Sequence, residues 1–433
     1  MARAAVKALT AIRLHRSDMP LLVVVGVCAI VLMTLLPLDG PIAWWPLPFV
    51  AIGFIVWSMM EPDADPVLLP ILAALCSIGL LVVGRLDADL AGHQAQWMLL
   101  GIAIVIVGRP AFARYRRLVS VAYPWVAGTL LLFVLLRFFG HEVNGARLWF
   151  TFGRFNAQPV EIAKLFMVFF MASYLTENGL AIAATPLSHV RETIRLLGPL
   201  VLGWGVSIVT LAFQRDVGMA ALFLGIFLVM LYAASKRTDL VLLFALIFAA
   251  GTWFVAAHYP YVGARVSGWL DPWSDPLGRG YQPEQGYFSL AAGGLFGTGY
   301  HLGQPGFIPD ASTDYVFAAW AEEFGAIGGF ALLALYLALV TRALRIAFFA
   351  DDRFTALLAT GFAAILGIQV FVIVGGVVGL VPLTGITLPF ISYGGSSMVA
   401  NILMLGLLRQ FSVREAVESR SAGLNLSTAK STA

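Results

Sequence analysis

Residues 196–213 read LLGPLVLGWGVSIVTLAF and residues 217–234 read VGMAALFLGIFLVMLYAA, with only Gln214, Arg215 and Asp216 between them. A helix needs about 20 mostly apolar residues to cross roughly 30 Å of hydrocarbon. Both runs meet that length, and neither alternates apolar with polar as a barrel strand would. Working outward, ten further windows read the same way: about 20–38, 43–60, 66–84, 95–108, 118–138, 158–175, 239–257, 313–341, 355–380 and 388–410. The fold class is therefore an all-α polytopic membrane protein of about twelve spans. Composition agrees, since 60% of the 433 residues are hydrophobic and only 12% are charged. A soluble globule of this size keeps a charged exterior, so soluble-enzyme, disordered and disulfide-scaffold readings are excluded. The net charge of +3 gives no case for nucleic-acid binding.

Lys and Arg set the orientation. With the N-terminus inside, 19 of them fall in the N-terminal arm, in the inner loops near 109–117, 191–195, 236–237 and 342–353, and in the C-terminal tail; seven fall outside. The bias predicts that both termini are cytoplasmic. The acidic inner loop Glu61–Pro66 runs against it. Residues 1–19 read as a basic arm, 20–65 as the first two spans, 66–411 as the ten that follow with the outer loop, and 412–433, rich in Ser, Ala and Thr, as a disordered tail. The first apolar run is longer than a signal h-region and more spans follow, so no cleaved signal is expected. No internal repeat is visible, which disfavours an inverted-repeat transporter. Residues 258–312 form an outer loop far longer than the usual connection. Its Trp269, Trp273, Tyr281, Tyr287, Phe288 and Phe307 favour folding back on the membrane interface.

Ionisable groups within spans mark function or a paired structural role. Glu161 and Lys164 are three residues apart, on one helix face and able to pair; Pro159 suits the first turn of that helix. If the pair only holds the helix, exchanging the two charges should preserve activity; if one group faces substrate, it should not. Arg215 offers bidentate phosphate binding, or a turn salt bridge with Asp216. Asp314, Glu322 and Glu323 open the tenth span. Asp314 reads as a helix cap, and at least one of the glutamates needs a partner such as Lys164 or Arg147. Asp275 precedes Pro276, ordinarily a turn starter. The run Gly293–Gly299 lacks the strand and the Lys-Ser/Thr of a phosphate loop, and Gly394–Ser397 reads as close helix packing. Cys28 and Cys76 lie in apolar runs as core residues, and the six histidines have no metal spacing.

Several segments together resemble the SEDS family of peptidoglycan glycosyltransferases, the RodA and FtsW kind. They are Gly145–Trp149, Gln158–Glu161 with Lys164, Gln214–Gly218, Asp275–Gln282, Gly293–Gly297, Thr313–Phe317 with Glu322 and Glu323, and Pro382–Gly385 running into Leu388–Ser397. They cover about 145–410 in the family's order. The resemblance implies a ten-span core starting at 66–84, preceded by two extra spans. Departures include Val160 where Ser is common, Arg215 where Pro is common, Asp310 and Ser312 for Glu and His, and Ile373 for Asn. The resemblance places Asp275 on the family's catalytic aspartate and Arg147, Glu161 and Lys164 on its polar cavity. Arg215, Glu322 and Ser396 complete the candidate substrate-binding set. It implies lipid II as donor, a nascent glycan as acceptor, membrane lipids around the bundle, and a class B penicillin-binding protein as partner in elongation or division. Arg, Lys or a divalent cation would meet the charge of the departing pyrophosphate. A lipid II flippase is the alternative that the same cavity would serve.

Overall fold

The computed structural model describes residues 46–143, 146–152 and 155–431. The arm 1–19 and the expected span 20–38 lie outside the described residues. Helix α1 is Pro46–Met60. Its 15 residues reach about 22 Å, so the described part of the expected second span is a short helix. Ten helices among the described residues are long and apolar enough to cross a membrane. They are α2 (Leu68–Leu86), α3 (Ala88–Phe112), α4 (Ala122–Phe139), α5 (Val160–Ala184), α6 (Val190–Phe213), α7 (Val217–Ser235), α8 (Thr238–His258), α11 (Val316–Phe349), α12 (Arg353–Val377) and α13 (Gly395–Ser431, apolar over Gly395–Val413). Each coincides with one of the ten later windows. Segment 412–431, expected to be disordered, instead continues α13 as helix; its Ala, Glu, Arg and Leu are good helix formers.

Burial sorts the helices. The apolar window of α13 is 83% buried and that of α8 only 11%, so α13 is central and α8 peripheral, its apolar side chains left for lipid. Helix α13 packs on α3, while α12 packs on α11, α7 and α5. Between α4 and α5 lies a small antiparallel sheet that the sequence did not announce, β1 (His141–Val143), β2 (Ala146–Phe152) and β3 (Phe155–Ala157), in the order β1-β2-β3. The long loop is largely helical: α9 is Pro260–Leu270 and α10 is Tyr281–Gly293. The ends of the bundle are called outer and inner after the Lys/Arg bias.

Helix α11 has 34 residues and is broken at Gly325, where φ is 68° and ψ is −173°. A break inside a membrane helix frees backbone groups that water cannot satisfy. The glycine run 293–299 takes them up. Thr298 N–H donates to Glu322 O at 2.9 Å and Gly299 N–H to Glu323 O at 3.0 Å, while Gly294 O and Leu295 O accept from Ala326 and Ile327. This approach leaves no room for side chains: a Cβ on Gly297, whose φ is +86°, would sit 2.1 Å from Glu323 O. Gly297→Ala should therefore lower stability by about 2–4 kcal/mol, read as a lower thermal midpoint in detergent; an unchanged midpoint would refute the splice.

The stretch 388–392 is buried yet non-helical, which membrane depth tolerates only inside protein or along a cavity. Side chains and backbone around it hold the stretch and the two residues that follow. Gln94 Nε2 donates to Ile391 O at 3.2 Å and Ser392 O at 3.1 Å, and Gln94 Oε1 accepts from Gly394 N–H. Tyr336 Oη donates to Pro389 O, Ser392 Oγ donates to Thr313 O, and Tyr393 N–H donates to Ser312 O.

At the inner end, Glu61 and Arg409 form a buried ion pair at 2.9 Å, each about 4% exposed. Trp57 Nε1 also donates to Glu61 Oε2, and Arg409 donates to the Glu61 carbonyl. Asp65 meets Arg342 at 3.4 Å. The acidic loop that defied the charge rule thus has its countercharges within the bundle.

Candidate active site at the outer end

Asp275 closes the one-turn helix Pro272–Ser274 at the outer end. Its carboxylate is 45% exposed and stands 3.7 Å from Arg279 Nε, and it also accepts the Arg279 N–H at 3.2 Å. A Cβ at Gly278 would lie 2.5 Å from Asp275 Oδ2, so glycine there gives the carboxylate its space. Arg279 Nη1 donates to Ser267 Oγ on α9 at 2.9 Å. Two residues back on α9, Arg265 Nη1 donates to Thr384 O at 3.3 Å. Trp269, one turn on, donates from Nε1 to Gly379 O at 2.8 Å. Helix α9 therefore bridges the Asp275 loop and the segment 378–385.

Beyond Arg265 the polar track goes deeper. Asp314 Oδ2 and Arg265 Nη2 both converge on Gly385, 3.5 and 3.9 Å from where its Cβ would stand. Asp216 is buried and caps α7 by accepting Met219 N–H at 2.9 Å. Burial pushes Asp216 up to about 6, with the Met219 N–H and Arg265 pulling it down and Glu161 raising it. Burial also pushes Asp314 up to about 7, with Asp310 and Asp216 adding to the rise and Arg265 and Thr313 opposing it. One guanidinium thus serves two carboxyls, and neither is fully relieved.

A carboxyl held above its ordinary value lends stability at pH below the ordinary carboxylate range and loses it as pH rises towards the folded value. Asp314→Asn should therefore be more stable than the parent at pH 8, and the gap should narrow by pH 4. The full linkage for such a rise is about 4 kcal/mol; Asp314 is only half-buried, so about 1–2 kcal/mol is expected. Thermal midpoints at the two pH values check it, and a gap independent of pH would refute it.

At the inner limit of the track, Glu161 and Lys164 pair at 2.5 Å, both buried, as their spacing suggested. Lys164 Nζ also donates to Gln369 Oε1 and Asn401 Oδ1, each at 3.3 Å. Those two amides were not singled out in the sequence; the available signal was an amide side chain in the middle of each apolar span. They also alter the charge-exchange test. A carboxylate at position 164 would face two amide oxygens, so the exchanged protein should fail even if the pair is structural.

The other candidates part company. Glu322 and Glu323 do not reach Lys164. Glu323 pairs with Arg85 at 3.0 Å, and Glu322 accepts Gln304 N–H at 2.7 Å, because the break in α11 turns both towards α2 and the 299–305 turn. Asp314 does not cap α11: Tyr315 holds that position, with no side-chain hydrogen bond. Arg215 is exposed, with φ of 63°, while Asp216 beside it turns to the α7 N-terminus. Ser396 Oγ accepts Gln158 N–H at 2.8 Å, tying the start of α13 to that of α5. Arg147 stands in β2, its Cα opposite Glu142.

Comparison with known proteins agrees with this architecture. The family model described as cell cycle protein, covering FtsW, RodA and SpoVE, matches residues 67–416. The chain is 40% identical over 367 residues to the peptidoglycan glycosyltransferase RodA of Mycobacterium tuberculosis strain H37Rv, covering 81% of this chain and 78% of that one. It is 37% identical over 283 residues to stage V sporulation protein E of Bacillus subtilis, covering 64% and 75%. A solved chain from a peptidoglycan synthase complex that coordinates polymerization and crosslinking superposes with a TM-score of 0.67 at 32% identity, over 82% of this chain and 98% of that one. Ten membrane-length helices, the outer polar track and these matches lead to one conclusion: the chain is a multi-pass membrane protein and belongs to the FtsW/RodA/SpoVE family.

Proposed function

We propose that the chain is a peptidoglycan glycosyltransferase that polymerises lipid II at the outer face of the bacterial plasma membrane, with both termini cytoplasmic. What supports the reading is Asp275, half-exposed and joined through Arg279 and α9 to Thr384, three residues before the Thr387 carbonyl that Gln369 ties to Lys164. Asp275 acts as general base. It takes the proton of the acceptor sugar's 4-hydroxyl while that oxygen bonds to the donor's anomeric carbon. The bond from that carbon to the lipid diphosphate breaks, and the diphosphate leaves with the electron pair. A lipid-tailed donor explains a membrane bundle, because such a substrate stays in the bilayer. Arg279, beside Asp275, and Arg265, on α9, supply positive charge for the leaving diphosphate. Among the described residues no group of three or more His, Cys, Asp or Glu is set to hold a metal ion. A class B penicillin-binding protein is the proposed crosslinking partner.

A flippase would need accessible charge at both ends. The inner-end pair within the bundle, Glu61 and Arg409, is buried and mutually satisfied, and the relatives are named as peptidoglycan glycosyltransferases, which supports the enzyme instead. Purified full-length chain given lipid II should yield glycan polymer on a gel. Lipid II translocation in proteoliposomes without polymer would replace this reading with the flippase.

A further inference from the structure

Lys164 has no exposed surface, and its ammonium carries three N–H donors. One ion-pair partner and two hydrogen-bond acceptors, from three helices, surround it: Glu161 at 2.5 Å on its own helix, and Gln369 on α12 and Asn401 on α13, each at 3.3 Å. The amides are oriented by what their other ends do. Gln369 Nε2 donates to Thr387 O at 2.8 Å, and Asn401 Nδ2 donates to Ser397 Oγ at 3.2 Å. Ser397 Oγ also accepts from Thr387 Oγ1 at 2.8 Å. Turning either amide over would set an NH2 against the ammonium and an oxygen against its present acceptor, so the assignment follows from the network.

We propose that Gln369 and Asn401 are positioning residues of the polymerase reaction, acting through Lys164. The proposal rests on the polymerase reading above. A lone amide in a membrane span is ordinarily helix-packing glue, worth about 0.6–2 kcal/mol. Here two amides from different helices aim their oxygens at one ammonium; the NH2 of Gln369 holds the Thr387 carbonyl, and that of Asn401 holds Ser397 one turn back on α13, to which the Thr387 hydroxyl also donates. Lys164, fully buried and held by Glu161, Gln369 and Asn401, is a post and not a substrate ligand. The post fixes the turn that runs from Thr387 to the start of α13. That turn continues on one side into the Thr384–Gly385 wall, where Arg265 and Asp314 converge. On the other it opens α13, where Ser396 holds the start of α5. Slackening the post moves the wall that carries the outer charges. A displacement of about 1 Å in a reacting assembly can cost about 100-fold in rate.

The test is steady-state polymerisation of lipid II by the full-length chain. Gln369→Met and Asn401→Leu should each lower kcat about 10- to 100-fold, with KM for lipid II within about threefold. Asn401→Asp, which still offers the ammonium an oxygen, should recover most of the rate. In a Lys164→Met background, measured over long incubation, adding Asn401→Leu should change the residual rate by less than about twofold, because the group it acts through is gone. Wild-type kcat in both single variants, a rise in KM alone, or an equal loss in the Lys164→Met background would overturn the proposal. If Asn401→Leu does not fold, Gln369→Met decides. A wild type that makes no polymer sinks the polymerase reading and this proposal with it; a competent wild type with indifferent variants sinks only the positioning role.

Discussion

Asp275→Asn should cost about 100- to 10,000-fold in lipid II polymerisation, the usual worth of a general base, while the protein folds and melts as the parent does. The amide still offers an oxygen to the Arg279 N–H, so the turn from Asp275 to Gly280 keeps its hydrogen bonds. What it loses is basicity. The loss should fall on kcat and leave KM nearly unchanged, since the proton moves only in the transition state. Asp275→Glu should retain part of the rate, because the base remains but its longer stem must clear the space beside Gly278. An Asn variant that keeps more than a tenth of the parent rate, with normal melting, would remove Asp275 from the chemistry. The membrane core would then act as a scaffold or carry its base elsewhere.

The second large effect is on stability. Glu61→Ala leaves the buried Arg409 guanidinium without the carboxylate now 2.9 Å away. Breaking a buried pair from one side typically costs about 3–5 kcal/mol. The lower end is expected, because the carbonyls of Glu61 and Asp65 still accept from Arg409. Burial alone already pushes Glu61 above the ordinary carboxylate range, although Arg409, Trp57 and Arg109 all pull it down. The pair therefore adds little net stability while being costly to break. Replacing both partners together, Glu61→Leu with Arg409→Met, should restore most of the midpoint that Glu61→Ala loses. Equal destabilisation of the single and double variants would show that the pair itself, and not the stranded charge, holds the inner ends of α1 and α13.

Several features were legible in advance for local reasons. Pairing of Glu161 with Lys164 follows from three-residue helix spacing, and the small residues of Gly394–Ser397 do mark close packing, since a Cβ on Gly395 would meet the Trp97 ring at 2.3 Å. Other expectations failed where the deciding contact is distant. Glu323 meets Arg85 across 238 residues of chain, not Lys164. Asp314, placed by its position as a helix cap, joins Arg265 and Gly385 instead. The sheet between α4 and α5 went unseen because β1 and β3 have only three residues each, too few for a period to register.

The amino-acid sequence by itself determined how many described helices have membrane length and where they lie, because hydrocarbon thickness imposes a requirement that each apolar run satisfies or fails alone. It also determined the family, whose motifs are contiguous strings. Only the tertiary structure decided which buried charge answers which. Glu61 with Arg409 and Lys164 with Gln369 and Asn401 are separated by 348, 205 and 237 residues. Such partners are chosen by helix rotation and depth, which depend on the packing of every neighbour at once, and a buried polar group takes whatever acceptor that packing brings within reach.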